Sequence, residues 1–513
     1  MPVVYYRIFS PVKNVIILLK VCCMSLYKSC LFISFLLLSD FLMAQNYQAL
    51  HGSSYAGSLS PGNNPASIVH VPYAWDITPF SVQLKQSTNA YTIKNYSLLS
   101  SPNNITIDAV NGIKKRFVFT NQDVHLLNAR FSLNTKSAIA FGANLRSYMY
   151  GTSSESNYQD TSYSLADYLA INLQHIPLSA QSAGSAWAEL YGSYAHTIID
   201  DGYRLLNAGV TLKVNKSLAG GYGRTQGVQY VQDPGADGVM GYLLTQGNLQ
   251  YGYSSNVDLI DSNKTSTENR KAFLKNTYAG VSADVGIEYI LLSTDDEAED
   301  NDYAYNTRIG VSIMDIGSSK YQHSSKSRYA IAGKEGITDT LLENKFNSVR
   351  NLDDFNDSLA SIAGYITGLA GDFVIYKPTR LVINVDQHLA NNFFINAEIT
   401  VPLIPLAAKN SLYIKDMNLL ALTPRWETKK FGAYLPVLMN TRQQVWVGGA
   451  FRAGPLLLGT HNLANLFSKN SMQNGGAYLA LTIRPGKNHD RQREASNGKL
   501  SKQQERNLNC PKF

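Results

Sequence analysis

The chain has 513 residues, of which 16% are charged and 11% are aromatic, with 32 tyrosines and 4 cysteines. The charged fraction is well below the roughly 25% of average soluble chains, yet the mean hydropathy is only −0.16. These values argue against a disordered chain, a disulfide scaffold and a polytopic helical membrane protein, and they suit a large β protein.

The first 44 residues predict an export signal. A short basic start at 24–28 precedes an apolar core that ends at Leu42, and Ala44 lies just before the expected cleavage point. Translation from Met24 is an alternative to the first methionine, and an uncleaved anchor helix is an alternative to cleavage. We therefore expect an exported protein whose mature chain begins at residue 45.

The positive charge lies at the two ends of the chain. Residues 1–44 carry a net +3 and residues 484–513 a net +5, which leaves −1 of the total of +7 for residues 45–483. The basic, polar tail at 485–513 predicts a solvated extension, with contact to an acidic surface or the cell wall as the alternative. Because the body is nearly neutral, we expect no nucleic-acid partner.

The body, residues 79–484, alternates with a period of two, as β-strands do. Alternating runs are found at 127–133, 139–145, 187–197, 206–214, 278–292, 303–316, 381–385, 393–401, 445–453 and 476–483. Several runs exceed ten residues, the length that a tilted membrane strand needs. The pattern predicts an all-β, antiparallel transmembrane β-barrel of about 14 strands, within a range of 12 to 16. A soluble sandwich or solenoid is the alternative.

Aromatic residues lie at the ends of these runs, where membrane barrels carry girdles of Tyr and Trp. They include Tyr148, Tyr150, Trp187, Tyr191, Tyr194, Tyr278, Tyr289, Tyr303 and Tyr305. With the export signal, this placement predicts the outer membrane of a Gram-negative cell, with its lipid as a partner. The final run, 474–481, resembles the β-signal read by the outer-membrane insertion machinery, which is therefore a second expected partner.

One segment of the body has a helical period instead. From 338 to 363, apolar residues recur every three or four positions, and Thr338 can cap the start. The pattern predicts one amphipathic helix or two short ones, inserted between strands. Two interpretations stay open: a cap on the barrel rim, or a plug in the lumen with Phe346, Leu352 and Phe355 as the candidate side chains.

Short motifs mark the start of the mature chain and recur along it. They lie at 45–57, 62–66, 72–76, 207–213, 284–289, 310–317, 423–425 and 451–459. In this order they resemble an uncharacterised, domain-of-unknown-function family of Bacteroidota outer-membrane barrels. The element Asn64-Pro65-Ala66 is also similar to one in FadL-type long-chain fatty-acid transporters.

In FadL-type barrels the N-terminal segment folds into the lumen as a hatch. The resemblance implies a hatch at residues 45–78, with Asn64, Pro65 and Ala66 in a structural or gating role. A plain turn into the first strand is the alternative.

The sequence holds none of the short motifs that mark hydrolase, nucleotide-binding or metal sites. Cys510 would be the one cysteine left after removal of the signal, and the acidic run at 295–302 lacks EF-hand spacing. We therefore expect no enzyme activity, no cofactor and no metal.

Two functions stay open. The first is passive passage of a small, hydrophobic solute through a lumen that the hatch and residues 338–363 partly occlude. The second is a non-transport scaffold or accessory subunit of a secretion or surface-assembly system, with loops and tail contacting envelope partners. A continuous apolar pocket behind the hatch would favour the first, and a filled lumen would favour the second.

Overall fold

The computed structural model describes residues 48–97, 99, 105–160, 164–234, 240–293, 304–333, 335–404, 411–467, 469 and 471–485. The predicted signal at 1–44, the acidic run at 295–302 and the tail from 486 onward lie outside these described residues.

Strands dominate the described chain, because alternating polar and apolar side chains suit a wall that separates lipid from a wet interior. They are β1 (Trp75–Thr88), β2 (Tyr91–Lys94), β3 (Thr106–Ala109), β4 (Gly112–Ser132), β5 (Ser137–Tyr158), β6 (Leu178–Asp200), β7 (Arg204–Pro234), β8 (Met240–Tyr253), β9 (Ala279–Leu292), β10 (Tyr305–Gln322), β11 (Arg328–Ala332), β12 (Ala363–Gly368), β13 (Asp372–Tyr376), β14 (Arg380–Ala390), β15 (Phe393–Pro402), β16 (Leu412–Tyr413), β17 (Leu419–Glu427), β18 (Phe431–Tyr434), β19 (Val437–Asn440), β20 (Val445–Val447), β21 (Gly449–Ala453), β22 (Leu456–Thr460) and β23 (Asn474–Ile483).

The helices are short and lie between strands. They are α1 (Leu165–Ala170), α2 (Ser266–Phe273), α3 (Asp339–Asn347), α4 (Leu352–Ile362) and α5 (Ala464–Phe467). Single 3-10 turns occur at Gln48–Leu50, Gly57–Gly62, Pro65–Ile68 and Ser255–Leu259. In the part of the chain that the structure describes, no helix has the length and apolar character needed to cross a bilayer.

The sheet closes on itself through its first and last strands. β1 pairs antiparallel with β23, Leu84 opposite Ala477, and on its other side with β4, Val82 opposite Val124. The wall contains fourteen barrel strands, because in several places two or three successive segments form one interrupted strand. These are β8 with β9, β10 with β11, β12 with β13 and β14, β18 with β19, and β20 with β21. The predicted antiparallel barrel of about 14 strands is thus confirmed.

The two ends of the barrel differ. Short connections follow β4, β6, β14, β17 and β21 at the end where β1 begins, which we call the turn end. Longer connections, including all five helices, lie toward the opposite end, which we call the loop end. The wall also reaches further on one side at the loop end, because β4 to β7 have 21 to 31 residues.

An apolar belt surrounds the outside of the barrel. On β9 the outward side chains Val281, Val285, Ile287 and Leu291 are 75%, 42%, 50% and 39% exposed. At ~3.3 Å per residue and a tilt of ~40°, the span from the first to the last of them is about 25 Å tall, the height of a membrane barrel's apolar band. The exposure of these side chains is therefore explained by lipid contact.

The structure differs from the sequence prediction at the strand ends. β7 continues to Pro234, whereas the alternating pattern ended at 214, because the wall beyond the belt faces water on its outside and loses the apolar half of the pattern. β1 begins at Trp75, ahead of the predicted barrel start at 79, because residues 75–78 already pair with residues 128–131 of β4.

Candidate functional site

The N-terminal segment enters the barrel from the turn end and lies inside it. We call residues 48–73 the hatch, because the Ala74 carbonyl oxygen already accepts a hydrogen bond from the Ser132 amide of β4 at 2.7 Å. Most of its apolar side chains are buried, and Ala49, Ala66 and Ile68 have 0% exposure to water. Its backbone hydrogen bonds are local turns, and in the described residues none joins positions 48–73 of the hatch backbone to the wall backbone. The hatch is thus a separate body that is held by side chains.

The element Asn64-Pro65-Ala66 starts a 3-10 turn deep in the lumen. The Asn64 side chain accepts a hydrogen bond from the Ala66 amide at 2.9 Å, which caps the turn. Its amide nitrogen donates to the Ile287 carbonyl oxygen of β9, also at 2.9 Å. One side chain therefore orders the turn and ties it to the wall.

Three glycines of the wall make room for this element. A Cβ at Gly209 of β7 would lie 2.5 Å from the Ala66 nitrogen, and one at Gly286 of β9 would lie 2.2 Å from the Asn64 side-chain oxygen. A Cβ at Gly310 of β10 would lie 3.0 Å from the Asn64 amide nitrogen. The close approach of hatch and wall thus requires glycine at neighbouring inward positions.

Further side-chain hydrogen bonds hold the hatch against strands around the lumen. They are Ser58 N to Asp76 Oδ1 at 2.7 Å, Ser67 Oγ to Glu288 at 2.9 Å, Arg130 Nε to the Ile68 oxygen at 2.6 Å, Ser312 Oγ to the Asn63 oxygen at 2.6 Å, Arg380 to the Gly62 oxygen at 3.2 Å, and His51 with Glu398. These bonds reach β1, β4, β9, β10, β14 and β15, so the hatch is fixed from several directions.

We expect Asn64→Ala to loosen the hatch locally. The variant loses the cap and the bond to β9, about 1–2 kcal/mol together. Hydrogen exchange of the amides at 57–71 should therefore rise roughly 5- to 30-fold while the strands stay protected. Asn392→Ala, in an exposed turn, is the matched control and should leave exchange unchanged. Equal exchange in both variants would show that Asn64 does not hold the hatch.

Aromatic and arginine side chains pack around the hatch at the turn end. The Arg452 guanidinium lies 4.1 Å from the centre of the Tyr55 ring, and Arg484 donates to the Tyr55 carbonyl oxygen at 2.5 Å. Burial raises the pKa of the Tyr55 hydroxyl above its ordinary value, and the pKa of Tyr73 likewise. Both tyrosines are therefore neutral at physiological pH, and the contacts with arginine are of the cation–π kind.

Above the hatch, the lumen holds a buried cluster of charges. It contains five acids and five cations, all at most 8% exposed: Asp123, Glu189, Asp284, Asp315 and Asp416, with Lys85, Arg146, Lys213, Lys377 and Arg380. We call this set the charge cluster. Its formal charges cancel, which matters because an unpaired charge in such a site is costly.

Asp315 is the centre of the charge cluster. Its carboxylate lies 2.5 Å from Arg146, 2.8 Å from Lys213 and 2.5 Å from Arg380. Its backbone has φ of 57°, a left-handed conformation that aspartate tolerates better than most residues, and its amide donates to Asp284 at 2.7 Å. One carboxylate on β10 thus links cations from β5, β7 and β14.

The loop end of the lumen is filled by an aromatic cluster and by a loop that folds inward. Residues 411–418, which precede β17, place Ile414 and Met417 in this cluster and Asp416 beside Lys85. The cluster also includes Phe117, Phe119, Tyr148, Tyr150, Trp187, Tyr222, Tyr321 and Phe373. The lumen is therefore occupied from both ends.

The free space between these two closures is small. A cavity of about 50 Å³ lies between the hatch and the charge cluster, with His51, Gln83, His125 and Tyr191 among its lining residues. That volume holds a few water molecules. In the described residues, no group of three or more His, Cys, Asp or Glu side chains is placed to hold a metal ion.

The inserted helices lie elsewhere. Phe346 and Phe355 are buried, and Leu352 half-buried, in a cluster with Tyr251 of β8 and Ala330 of β11. The Gln250 side chain donates to the Tyr222 hydroxyl in the lumen, so Gln250 faces inward. Because successive side chains of a strand point to opposite faces, Tyr251 faces outward. The helices thus cover the outside of the wall extension. This placement of Phe346, Leu352 and Phe355 favours the cap over the plug, the two interpretations that the sequence left open. The helical period in the sequence predicts an apolar face, but it does not predict which side of the wall that face covers.

Tyr148, Tyr150 and Trp187 were expected in an aromatic girdle, but they occupy buried inward positions of β5 and β6 and lie in the aromatic cluster of the lumen. The charged residues that fill the lumen were not singled out from the sequence. Asp315 and Asp284 lie within motifs at 310–317 and 284–289, which were noted for resemblance alone. The available signal was a charged residue at a lumen-facing position of a strand whose other residues are mostly uncharged. Ile414 and Met417 gave no such signal, because an apolar loop residue has no period that reveals its direction.

Fold and interior together define a closed, 14-strand membrane β-barrel with an internal N-terminal hatch. The chain belongs to the family of unknown function DUF5723, whose model matches residues 65–461. The expected resemblance to an uncharacterised family is thereby confirmed. No protein of curated function matches the sequence.

Solved barrels with low similarity include two toluene transporters and a FadL homologue. The Ralstonia pickettii toluene transporter TbuX is 12% identical over 83% of this chain and 94% of its own, with a TM-score of 0.36. The P. putida toluene transporter TodX is 10% identical over 83% and 93%, with a TM-score of 0.38. A Pseudomonas aeruginosa FadL homologue is 9% identical over 86% and 99%, with a TM-score of 0.37. Likeness at this level carries no conclusion about function, which depends on the chain's own residues.

Proposed function

We propose that this protein is an outer-membrane barrel of a Gram-negative cell that passes a small, hydrophobic solute when its hatch is displaced. Short turns face the periplasm and longer loops face outward in barrels of this kind, so the hatch closes the periplasmic side. The observation that carries the proposal is that the hatch backbone makes no hydrogen bond to the wall backbone over the described residues 48–73. A segment held by side chains alone can leave without breaking the sheet.

The chemistry of the lumen supports the solute class. An entering solute first meets the aromatic cluster, including Phe119, Tyr150 and Phe373, and aromatic faces favour apolar or aromatic ligands. The charge cluster beyond it would oppose an isolated ion, because its own charges already cancel. Passage therefore requires movement of residues 411–418 on one side and of the hatch on the other.

A second candidate is a non-transport scaffold or accessory subunit of a secretion or surface-assembly system. The filled lumen, with its cavity of about 50 Å³, favours this alternative, because such a role needs a rigid barrel and no path. The two candidates differ in whether any flux appears when the hatch is loosened.

Proteoliposome flux tests the proposal with a variant that loses three hatch bonds. N64A, S67A and S312A together remove contacts to β9 and β10 and leave the charge cluster intact. We expect uptake of indole, a neutral aromatic, to rise at least about fivefold over wild type, with little uptake of glucose. The control carries S262A, N263A and S325A in exposed loops and should match wild type.

Folding of each variant is checked by heat-modifiable gel migration. No flux of either probe through folded wild type and folded triple variant would reject transport in favour of the scaffold. Equal entry of glucose and indole would reject the hydrophobic solute class.

A further inference from the structure

An excursion interrupts the wall between β8 and β9. Strand β7 pairs with both, Gly221 opposite Tyr253 and Lys216 opposite Ala279, so the chain between them leaves the sheet and returns. We call residues 254–278, which include α2, the platform. The Asn256 side chain donates to the Leu218 carbonyl oxygen of β7 at 2.7 Å and to the Phe273 oxygen of α2 at 2.9 Å. The platform is thus tied to the wall.

The platform lies at the loop-end edge of the apolar belt. Val281 of β9 and Val214 of β7, just below it, are 75% and 61% exposed. The Tyr278 hydroxyl donates to Asp372 at 2.7 Å, and the Lys320 ammonium lies 4.9 Å from the centre of the Tyr278 ring. Tyr278 thus has charged partners and lies directly above exposed valines. This arrangement is typical of the boundary between the acyl chains and the headgroups of a bilayer.

The acidic side chains of the platform are engaged locally. Asp258 accepts from the Tyr253 hydroxyl at 2.7 Å. Asp261 accepts from the Asn263 amide at 2.9 Å. Glu268 caps the start of α2 by accepting from the Thr265 amide at 2.9 Å. None of the three acids is used to neutralise the end of α2.

The cations at the end of α2 are free of ion pairs. Arg270, Lys271 and Lys275 are exposed, and across the described chain no carboxylate lies within ion-pair distance of them. Lys216, which lies in the adjacent strand, donates to the Thr277 carbonyl oxygen at 3.2 Å, and among the described residues it has no carboxylate partner. Cations in the last turn of a helix interact favourably with its dipole. That interaction does not explain why three cations are present or why they lie at the edge of the apolar belt.

The platform also offers space and apolar contact. An open cleft of about 550 Å³ runs beside α2, and Leu259, Ile260 and Ala272 line it together with the polar side chains of Asp258, Asp261, Ser262, Lys264 and Lys275. Leu274, next to the free cations, is 42% exposed. Lys275 is one of the free cations, so a phosphate group at this cleft would lie beside it.

We propose that the platform binds the phosphorylated headgroup of an outer-leaflet lipid. Ammonium and guanidinium groups form charge-assisted hydrogen bonds with phosphate, and each cation near an anionic surface strengthens attraction to it. A lipid is favoured over free phosphate because the cations lie at the belt edge, next to Leu274. The proposal rests on the outer-membrane placement proposed above, but not on transport.

Native mass spectrometry of the full chain in detergent tests the proposal. Bisphosphorylated lipid A and enzymatically dephosphorylated lipid A are added in equal amounts. Wild type should retain the phosphorylated form with at least about tenfold preference, and R270Q/K271Q/K275Q should lose that preference. The control K115Q/K429Q/K430Q removes the same charge from exposed sites elsewhere and should behave as wild type.

Four outcomes would overturn the proposal: no preference in wild type, an unchanged preference in the platform variant, an equal loss in the control, or full displacement of the lipid by millimolar inorganic phosphate. The first needs no variant, so it is decisive even if a variant folds poorly. Indole flux through the platform variant should stay at the wild-type level, which separates this site from the proposed passage.

Discussion

Asp315→Asn is expected to destabilise the folded barrel by about 3–5 kcal/mol, since it leaves buried cations without their shared partner. Asparagine keeps the shape of the side chain and tolerates the left-handed backbone at this position, so the change isolates the charge. The charge cluster would then carry one more positive than negative charge, next to Arg146, Lys213 and Arg380. Urea unfolding in detergent, followed by tryptophan fluorescence and by heat-modifiable migration, measures the loss.

The control for this prediction is Asp201→Asn. Asp201 pairs with Arg204 at 2.6 Å, but both side chains are exposed in a turn, where water screens the interaction. We expect little change in its unfolding midpoint. If Asp315→Asn unfolds at the same urea concentration as wild type, the charge cluster does not stabilise the barrel.

Gly209→Val is expected to drive the hatch out of its position. The new Cβ would lie 2.5 Å from backbone atoms of Pro65 and Ala66, and no side-chain rotation relieves a clash with backbone. The cost of such overpacking is about 1–3 kcal/mol or more, which raises the population of open hatch roughly 5- to 150-fold. The strand itself tolerates the change, because valine favours β-structure.

Two measurements report this displacement. Limited proteolysis should cut the hatch between residues 57 and 73 while the barrel stays intact, and indole uptake should rise. Gly192→Val on the outward face of β6 is the matched control, since nothing lies within 4 Å of a Cβ there. An uncut hatch in folded Gly209→Val would contradict the docking of Asn64-Pro65-Ala66 on the wall glycines. A cut hatch without flux would retain the hatch but reject passage.

The sequence determined the wall of this protein. Apolar and polar residues alternate in a strand that has one face toward lipid and the other toward the lumen. The pattern can therefore be recognised in the sequence wherever the strand lies between these two environments. That is why runs such as 393–401 agree with β15 (Phe393–Pro402), and why the pattern fades in β7 beyond Val214, where the outward face meets water. The local motif Asn64-Pro65-Ala66 likewise indicated a turn with a special role, because capping is decided by adjacent residues.

Only the tertiary structure decided what fills the interior. Gly209, Gly286 and Gly310 come from three strands and act together only after the register places them under one turn of the hatch. The Asp315 carboxylate likewise has cationic partners that are 65 to 169 residues away in the chain. Helices α3 and α4 were expected from their period, but the face they cover depends on the twist and closure of the sheet. Contacts between distant segments are fixed by closure of the barrel, and no periodicity along the chain encodes them.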